Sequence, residues 1–171
     1  MSNGLVNLQE EYKEIKKSDK LCSIAGSAGP IITNKKRDYF HWKACFNGPK
    51  NTPYMYGLFI LEMKFPSNYP DEGPDVQMRT PTFHPNINNE NGHICVDYLK
   101  NWKKEYNIIG IINTVHDLLF EPNPDDPYGF YKNLDVNTRI DKATKMRMKY
   151  AGESQSYDWN NSWNKGWSND I

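Results

Sequence analysis

The sequence predicts an α+β domain: an N-terminal helix, an antiparallel meander of strands, then a central helix and further helical sequence. Three observations predict it. An apolar stripe at three- and four-residue spacing, Leu5, Leu8, Tyr12 and Ile15, opens the chain. Alternating apolar segments separated by Pro- and Gly-rich turns follow, the pattern of consecutive antiparallel strands. The period then becomes helical over residues 106–119, with Ile108, Ile111, Ile112, Val115, Leu118 and Leu119 on one face.

The elements can be justified in order. A helix is expected over residues 3–17, with Asn3 as its cap, Glu10, Glu11, Lys13 and Glu14 on a polar outer face, and Lys16 and Lys17 suiting the negative end of the helix dipole. Residues 21–24 read as a short strand. GSAGPIITNKKRD reads as a loop, because Gly, Pro and a basic cluster interrupt any period. Lys35, Lys36 and Arg37 are then a solvated loop tip in preference to an anion contact. Strands are expected at 39–47, 57–65 and 75–79, joined by the turns GPKNTPY and PSNYPDEGP. Three or four such strands make a meander that the first helix can cover on one face. In the 106–119 helix, Ile109 widens the apolar stripe, and His116 is expected to be partly buried and hydrogen-bonded. FEPNPDDPYG ends that helix and fixes Asp125 and Asp126 between Pro124 and Pro127. A last helix, about 135–151, carries Ile140, Ala143, Met146 and Met148. The expected domain is 1–151, followed by a 152–171 tail in which Trp159, Trp163 and Trp167 recur every fourth residue. That tail is expected to dock on the domain, with docking on a partner and plain disorder as the alternatives.

Composition narrows the function classes. At 171 residues the chain has the size of one domain able to bury a core. Lys and Arg number 21 against 21 Asp and Glu, so bulk charge gives no support to a nucleic-acid protein. The 3 cysteines, Cys22, Cys45 and Cys95, form no C-x-x-C pair, which argues for reduced thiols in a cytoplasmic or nuclear setting. Cys22 and Cys45 lie in strand-like segments and are expected to be small buried hydrophobes. The first residues hold no apolar signal-like core and no run is long enough to span a bilayer, so an intracellular soluble domain is expected.

Chemistry is expected in PTFHPNINNENGHICVDYLKNW, residues 81–102, a polar, turn-rich stretch holding His84 and Cys95. A thiol becomes a covalent catalyst where it can attack a carbonyl or thioester. With an acid, Asp97, two residues on and no strong base signature beside it, Cys95 is better suited to carrying an acyl group than to attacking an unactivated amide. Transfer of that group to an amine needs an oxyanion stabiliser and a group to receive the amine's proton. Asn86 offers an amide on a turn stiffened by Pro85, and Asp126 offers a carboxylate on the proline-rigid loop.

FHWKACFNGPKNTPY, the FPSNYP turn, FHPNI followed by GHICVDYL, the Trp102 after it, and LLFEPNPDDP together resemble ubiquitin-conjugating enzymes, in family order, over roughly residues 5–150. The resemblance implies the fold of that family (the UBC fold): an N-terminal helix, a four-stranded antiparallel meander, a central helix and one or more C-terminal helices. It implies that Cys95 takes ubiquitin's C-terminus from an activating enzyme as a thioester and passes it to a substrate lysine, with or via a ligase. It implies that Asn86 supports the oxyanion or its loop, that His84 and Pro85 hold the loop, that Asp126 orients the acceptor lysine, and that Asp97 marks direct lysine modification. No metal or organic cofactor is implied; ATP is consumed by the activating enzyme. Ubiquitin or a ubiquitin-like protein, the activating enzyme, a ligase and protein substrates are the implied partners, with no nucleic acid and no membrane.

The chain departs from the family pattern at Asp71, where many members have a bulky apolar residue for ligase docking, and at Lys103, Lys104 and Glu105, where many have Ser-Pro-Ala. Weak or unusual use of RING ligases is therefore expected. Val6, Asn7 and Glu10 stand where members often present basic residues to the activating enzyme. Residues 26–38 look long and the region after Pro127 looks short. Three alternatives remain beside ubiquitin transfer: the same chemistry with a modifier of the NEDD8 type, a non-catalytic ubiquitin-binding relative, and an unrelated thiol hydrolase using Cys95, His84 and Asn86.

Overall fold

In a computed structural model that describes residues 3–17 and 25–152, helix α1 (Asn3–Lys17) precedes a four-stranded sheet of β1 (Ala25–Thr33), β2 (Lys36–Asn47), β3 (Leu58–Lys64) and β4 (Asp75–Met78). The short helix α2 (Asp97–Lys100), the central α3 (Ile108–Phe120), the short α4 (Gly129–Lys132) and α5 (Val136–Tyr150) follow. The sheet is an antiparallel meander in the order β1-β2-β3-β4. The expected strand at 21–24, Cys22 and the three tryptophans of the tail lie outside the described residues.

Alternation along β2 and β3 divides the sheet's two faces. Trp42, Ala44, Phe46, Phe59, Leu61 and Met63 join one buried core with Leu8 and Ile15 of α1 and the apolar stripe of α3. All six residues of that stripe, from Ile108 to Leu119, are buried, as their spacing requires. On the opposite face, Glu62 pairs with His41 and with Arg79 at 3.2 Å. Cys45 is on that side too, 3% exposed, and burial pushes its thiol up to about 11.

These expectations need correction. The GSAGPIITNKKRD segment is mostly β-structure: β1 runs through it and β2 begins at Lys36. Gly and Pro break a period but not a backbone ladder at a sheet edge, where Pro30 is tolerated and the register jumps from Pro30–Trp42 to Ile31–Asp38. The loop shrinks to a two-residue turn, Asn34 and Lys35, both at positive φ (50° and 63°), the geometry of a tight hairpin. Asn3 is itself helical and so is not the cap. Glu11 is not simply on an outer face. Its carboxylate accepts from the backbone N–H of Ile108 at 2.8 Å and from the Tyr69 hydroxyl, tying α1 to the start of α3, and burial raises its pKa. His116 packs edge-on to Phe46, but its Nδ1 is 3.7 Å from Asp117 and makes no hydrogen bond. In α5, only Ala143 and Met146 of the expected apolar set are buried; Ile140 and Met148 are 48% and 65% exposed.

Candidate active site

The stretch 81–102 runs beside the edge strand β4 without forming a long element. Its backbone is held by single bridges, Gln77–His93, His84–Ile87 and Ile87–Ile94, and Gly92 turns it at φ 74°. The Cys95 N–H donates to the Asn86 carbonyl at 2.9 Å, so the thiol is fixed directly over the His84-Pro85-Asn86 turn. Trp102 closes the stretch by donating its indole N–H to the Pro70 carbonyl at 2.7 Å, and its ring lies against Gly73, where a Cβ would come within 2.6 Å of it. The exposed Asp71 and the exposed run Lys103, Lys104 and Glu105 are thereby placed on the same side of the molecule.

Beneath the thiol the polar groups are buried and satisfied. His84 is 0% exposed. Its Nδ1 accepts from the Asn86 N–H at 3.0 Å, and its Nε2 lies 2.9 Å from the Leu118 carbonyl. A carbonyl can only accept and an amide N–H can only donate, so the ring is neutral with its proton on Nε2. Burial lowers its pKa to about 4, against which the bond to Leu118 acts only weakly. A histidine with both nitrogens engaged this way has no lone pair left for proton transfer.

Asn86 is also 0% exposed. Its Nδ2 donates to the carbonyls of Asn123 at 2.9 Å and Asp126 at 3.2 Å, and its Oδ1 accepts from the Asn123 N–H at 2.9 Å. The Tyr128 N–H adds a bond to the Pro85 carbonyl at 2.7 Å. The proline loop is therefore latched to the thiol stretch by the Asn86 amide and the Tyr128–Pro85 backbone bond.

Above that layer the groups are exposed. The Cys95 thiol donates to Asp126 Oδ2 at 3.2 Å, and the Lys100 ammonium donates to the same oxygen at 2.7 Å. That ammonium, first, and the thiol, second, hold the Asp126 carboxyl below its usual range, while Lys100 is raised mainly by Asp126. Asp97 is exposed at the first turn of α2. Sequence reasoning brought Cys95, Asn86 and Asp126 together but passed over Lys100 within the quoted stretch. The signal was available in the chain register: a helical turn beginning at Asp97 brings residue 100 back toward the cysteine. Among the described residues no group of three or more His, Cys, Asp or Glu is placed to hold a metal ion, and no helix is long and apolar enough to cross a membrane.

The arrangement is a helix-flanked antiparallel meander that presents a thiol on an irregular stretch beside an acidic proline loop. A family model described as ubiquitin-conjugating enzyme matches residues 7–150, and the chain belongs to that family. Two solved structures agree. One is a candidate ubiquitin conjugating enzyme from Plasmodium yoelii, with a TM-score of 0.74 and 28% identity over 89% of this chain and 97% of that one. The other is the E2 domain of a Toxoplasma gondii ubiquitin conjugating enzyme, with a TM-score of 0.70 and 25% identity over 85% and 97% respectively.

Proposed function

We propose that this chain is an active ubiquitin-conjugating enzyme that accepts ubiquitin as a Cys95 thioester and transfers it to lysine, with or via a ligase. The observation that carries this reading is the placement of Asp126 Oδ2 at 3.2 Å from Cys95 Sγ. A carboxylate there can accept a proton from an amine approaching a carbonyl on that sulfur.

In the first step Sγ attacks the thioester carbonyl on the activating enzyme. A new C–S bond forms, the old one breaks, and the activating enzyme leaves as a thiolate that takes up the Cys95 proton. In the second step the acceptor amine attacks the Cys95 thioester carbonyl. The C–N bond forms, the C–S bond breaks, and the amine's proton passes by way of Asp126 to the departing thiolate. The stored thioester supplies the driving force, so the site needs no resident cofactor; ATP is consumed upstream. Asn86 is read as a positioning residue, because its amide already holds the Asn123 and Asp126 carbonyls. His84 supports the same turn. Asp97, exposed one turn from the thiol, is read as facing the acceptor. The free, partly exposed thiol suits the cytoplasm or nucleus.

The experiment is an ATP-dependent charging assay with ubiquitin and, in parallel, a modifier of the NEDD8 type, each with its own activating enzyme. A thiol-sensitive adduct with ubiquitin is expected. Charging by the other modifier alone would move the assignment to it. An absence of any adduct would leave a binding relative, and turnover of peptide or thioester without an activating enzyme would leave a hydrolase.

A further inference from the structure

We propose that Lys100 is a built-in stand-in for the acceptor amine, holding the Asp126 carboxylate until a substrate lysine displaces it. This rests on the thioester reading above and adds to it a residue that sets how hard the site is to enter.

The geometry has three parts. An aliphatic ammonium, the same chemical group as a substrate lysine in its protonated form, already lies 2.7 Å from Asp126 Oδ2. That oxygen is the one turned to the sulfur, at 3.2 Å. The pair is open to solvent, with side-chain exposures of 46% for Lys100 and 60% for Asp126, so an external amine can reach the oxygen and the resident one can swing away. Both residues are held at the main chain, Lys100 within α2 and Asp126 by the Asn86 amide on its backbone carbonyl at 3.2 Å. The Lys100 ammonium also interacts with the Cys95 thiol, so the resident cation stands where an incoming amine must come. Mutual ion pairing keeps the resident amine protonated and without a free lone pair, which makes it an occupant and not an attacker.

The consequence is selectivity. A free amine must outcompete an intramolecular one, while an acceptor delivered by a bound substrate or ligase does so at high effective concentration. Wild-type thioester should discharge poorly to free lysine and well to a docked acceptor.

The test starts from isolated Cys95 thioester, with charging stopped, and titrates free lysine in single-turnover discharge. Lys100→Ala is expected to lower the half-saturating lysine concentration by about two- to fivefold, the scale of an exposed ion pair. Lys100→Arg, which keeps the cation, should stay close to wild type. In an Asp126→Asn background, removing Lys100 should produce no such shift. A purely structural role would instead change charging or the plateau rate alike in both backgrounds. An unchanged or raised half-saturation in Lys100→Ala overturns the proposal. So does decay of the wild-type adduct into an isopeptide on Lys100, which would make that amine a substrate. If wild type forms no thioester, the functional reading fails and takes this with it. If the thioester forms and the Lys100 variants discharge like wild type while Asp126→Asn is impaired, only the role of Lys100 fails.

Discussion

The two layers of the active site, a few ångströms apart, are built on opposite physical terms. The lower layer, His84 and Asn86, is fully buried, and every polar atom on those two side chains has a partner. The upper layer of Cys95, Asp126 and Lys100 is open to water and held by two hydrogen bonds to one oxygen. Buried polar groups are costly when a partner is lost, whereas exposed pairs exchange with water at little cost. The difference teaches where rigidity and where reactivity are assigned: the lower layer fixes the distance between two loops, and the upper layer stays free to exchange partners with incoming protein groups.

The contrast can be broken most severely at Asn86. Asn86→Ala orphans the Asn123 N–H and the carbonyls of Asn123 and Asp126 together. Roughly 2–5 kcal/mol of stability should be lost in denaturant unfolding, along with discharge to lysine. Unaltered stability would mean that the latch is not the fastener described here.

Acid probes the same layer at His84. Its folded pKa, about 4, is below the ordinary 6.5, so the unfolded chain binds more protons between those values. Stability should be complete above pH 6.5 and fall as pH drops toward 4, by about 3 kcal/mol from this group. Unfolding midpoints across pH 4–7 test this, and His84→Asn should flatten the slope while lowering stability at pH 7.

The two cysteines on the described residues sharpen the comparison chemically. With its pKa near 11, Cys45 is thiolate in only about one part in a thousand at pH 8 and is also shielded from reagent. Alkylation of the native protein followed by peptide mapping should label Cys95 and spare Cys45 until denaturant is added. The smallest effect is expected at the surface: Asp71 replaced by an apolar residue should raise RING-stimulated discharge about two- to tenfold, within the cost of burying a carboxylate against an apolar pocket. Strong stimulation of the wild type by generic RING ligases would remove the premise.

Sequence patterning exposed the three long helices and three strands because each has one buried face, and burial imposes a period; the short α2 and α4 bury no residue and left none. It missed β1, whose Gly29 and Pro30 carry no alternating signal, since an edge strand is specified by backbone pairing with β2 and not by its own side chains. The positions that meet at the site were readable through family motifs at Cys95, Asn86 and Asp126. Their wiring was not. Asn86 looked like a free amide donor because the carbonyls it binds lie on a loop nearly forty residues away, and such pairing leaves no local trace. Lys100 drew no notice for the same reason.

The central claim is that one partly exposed thiol, Cys95, carries the modifier. Intact-mass measurement after incubation with activating enzyme, ATP and ubiquitin tests it most directly. The account predicts an increase of one ubiquitin less one water on the wild type, reversed by reductant and mapped to Cys95. The same reversible adduct is expected on Cys45→Ala, and none on Cys95→Ser. A thiol-reversible adduct that persists on Cys95→Ser, with the fold intact, would contradict it.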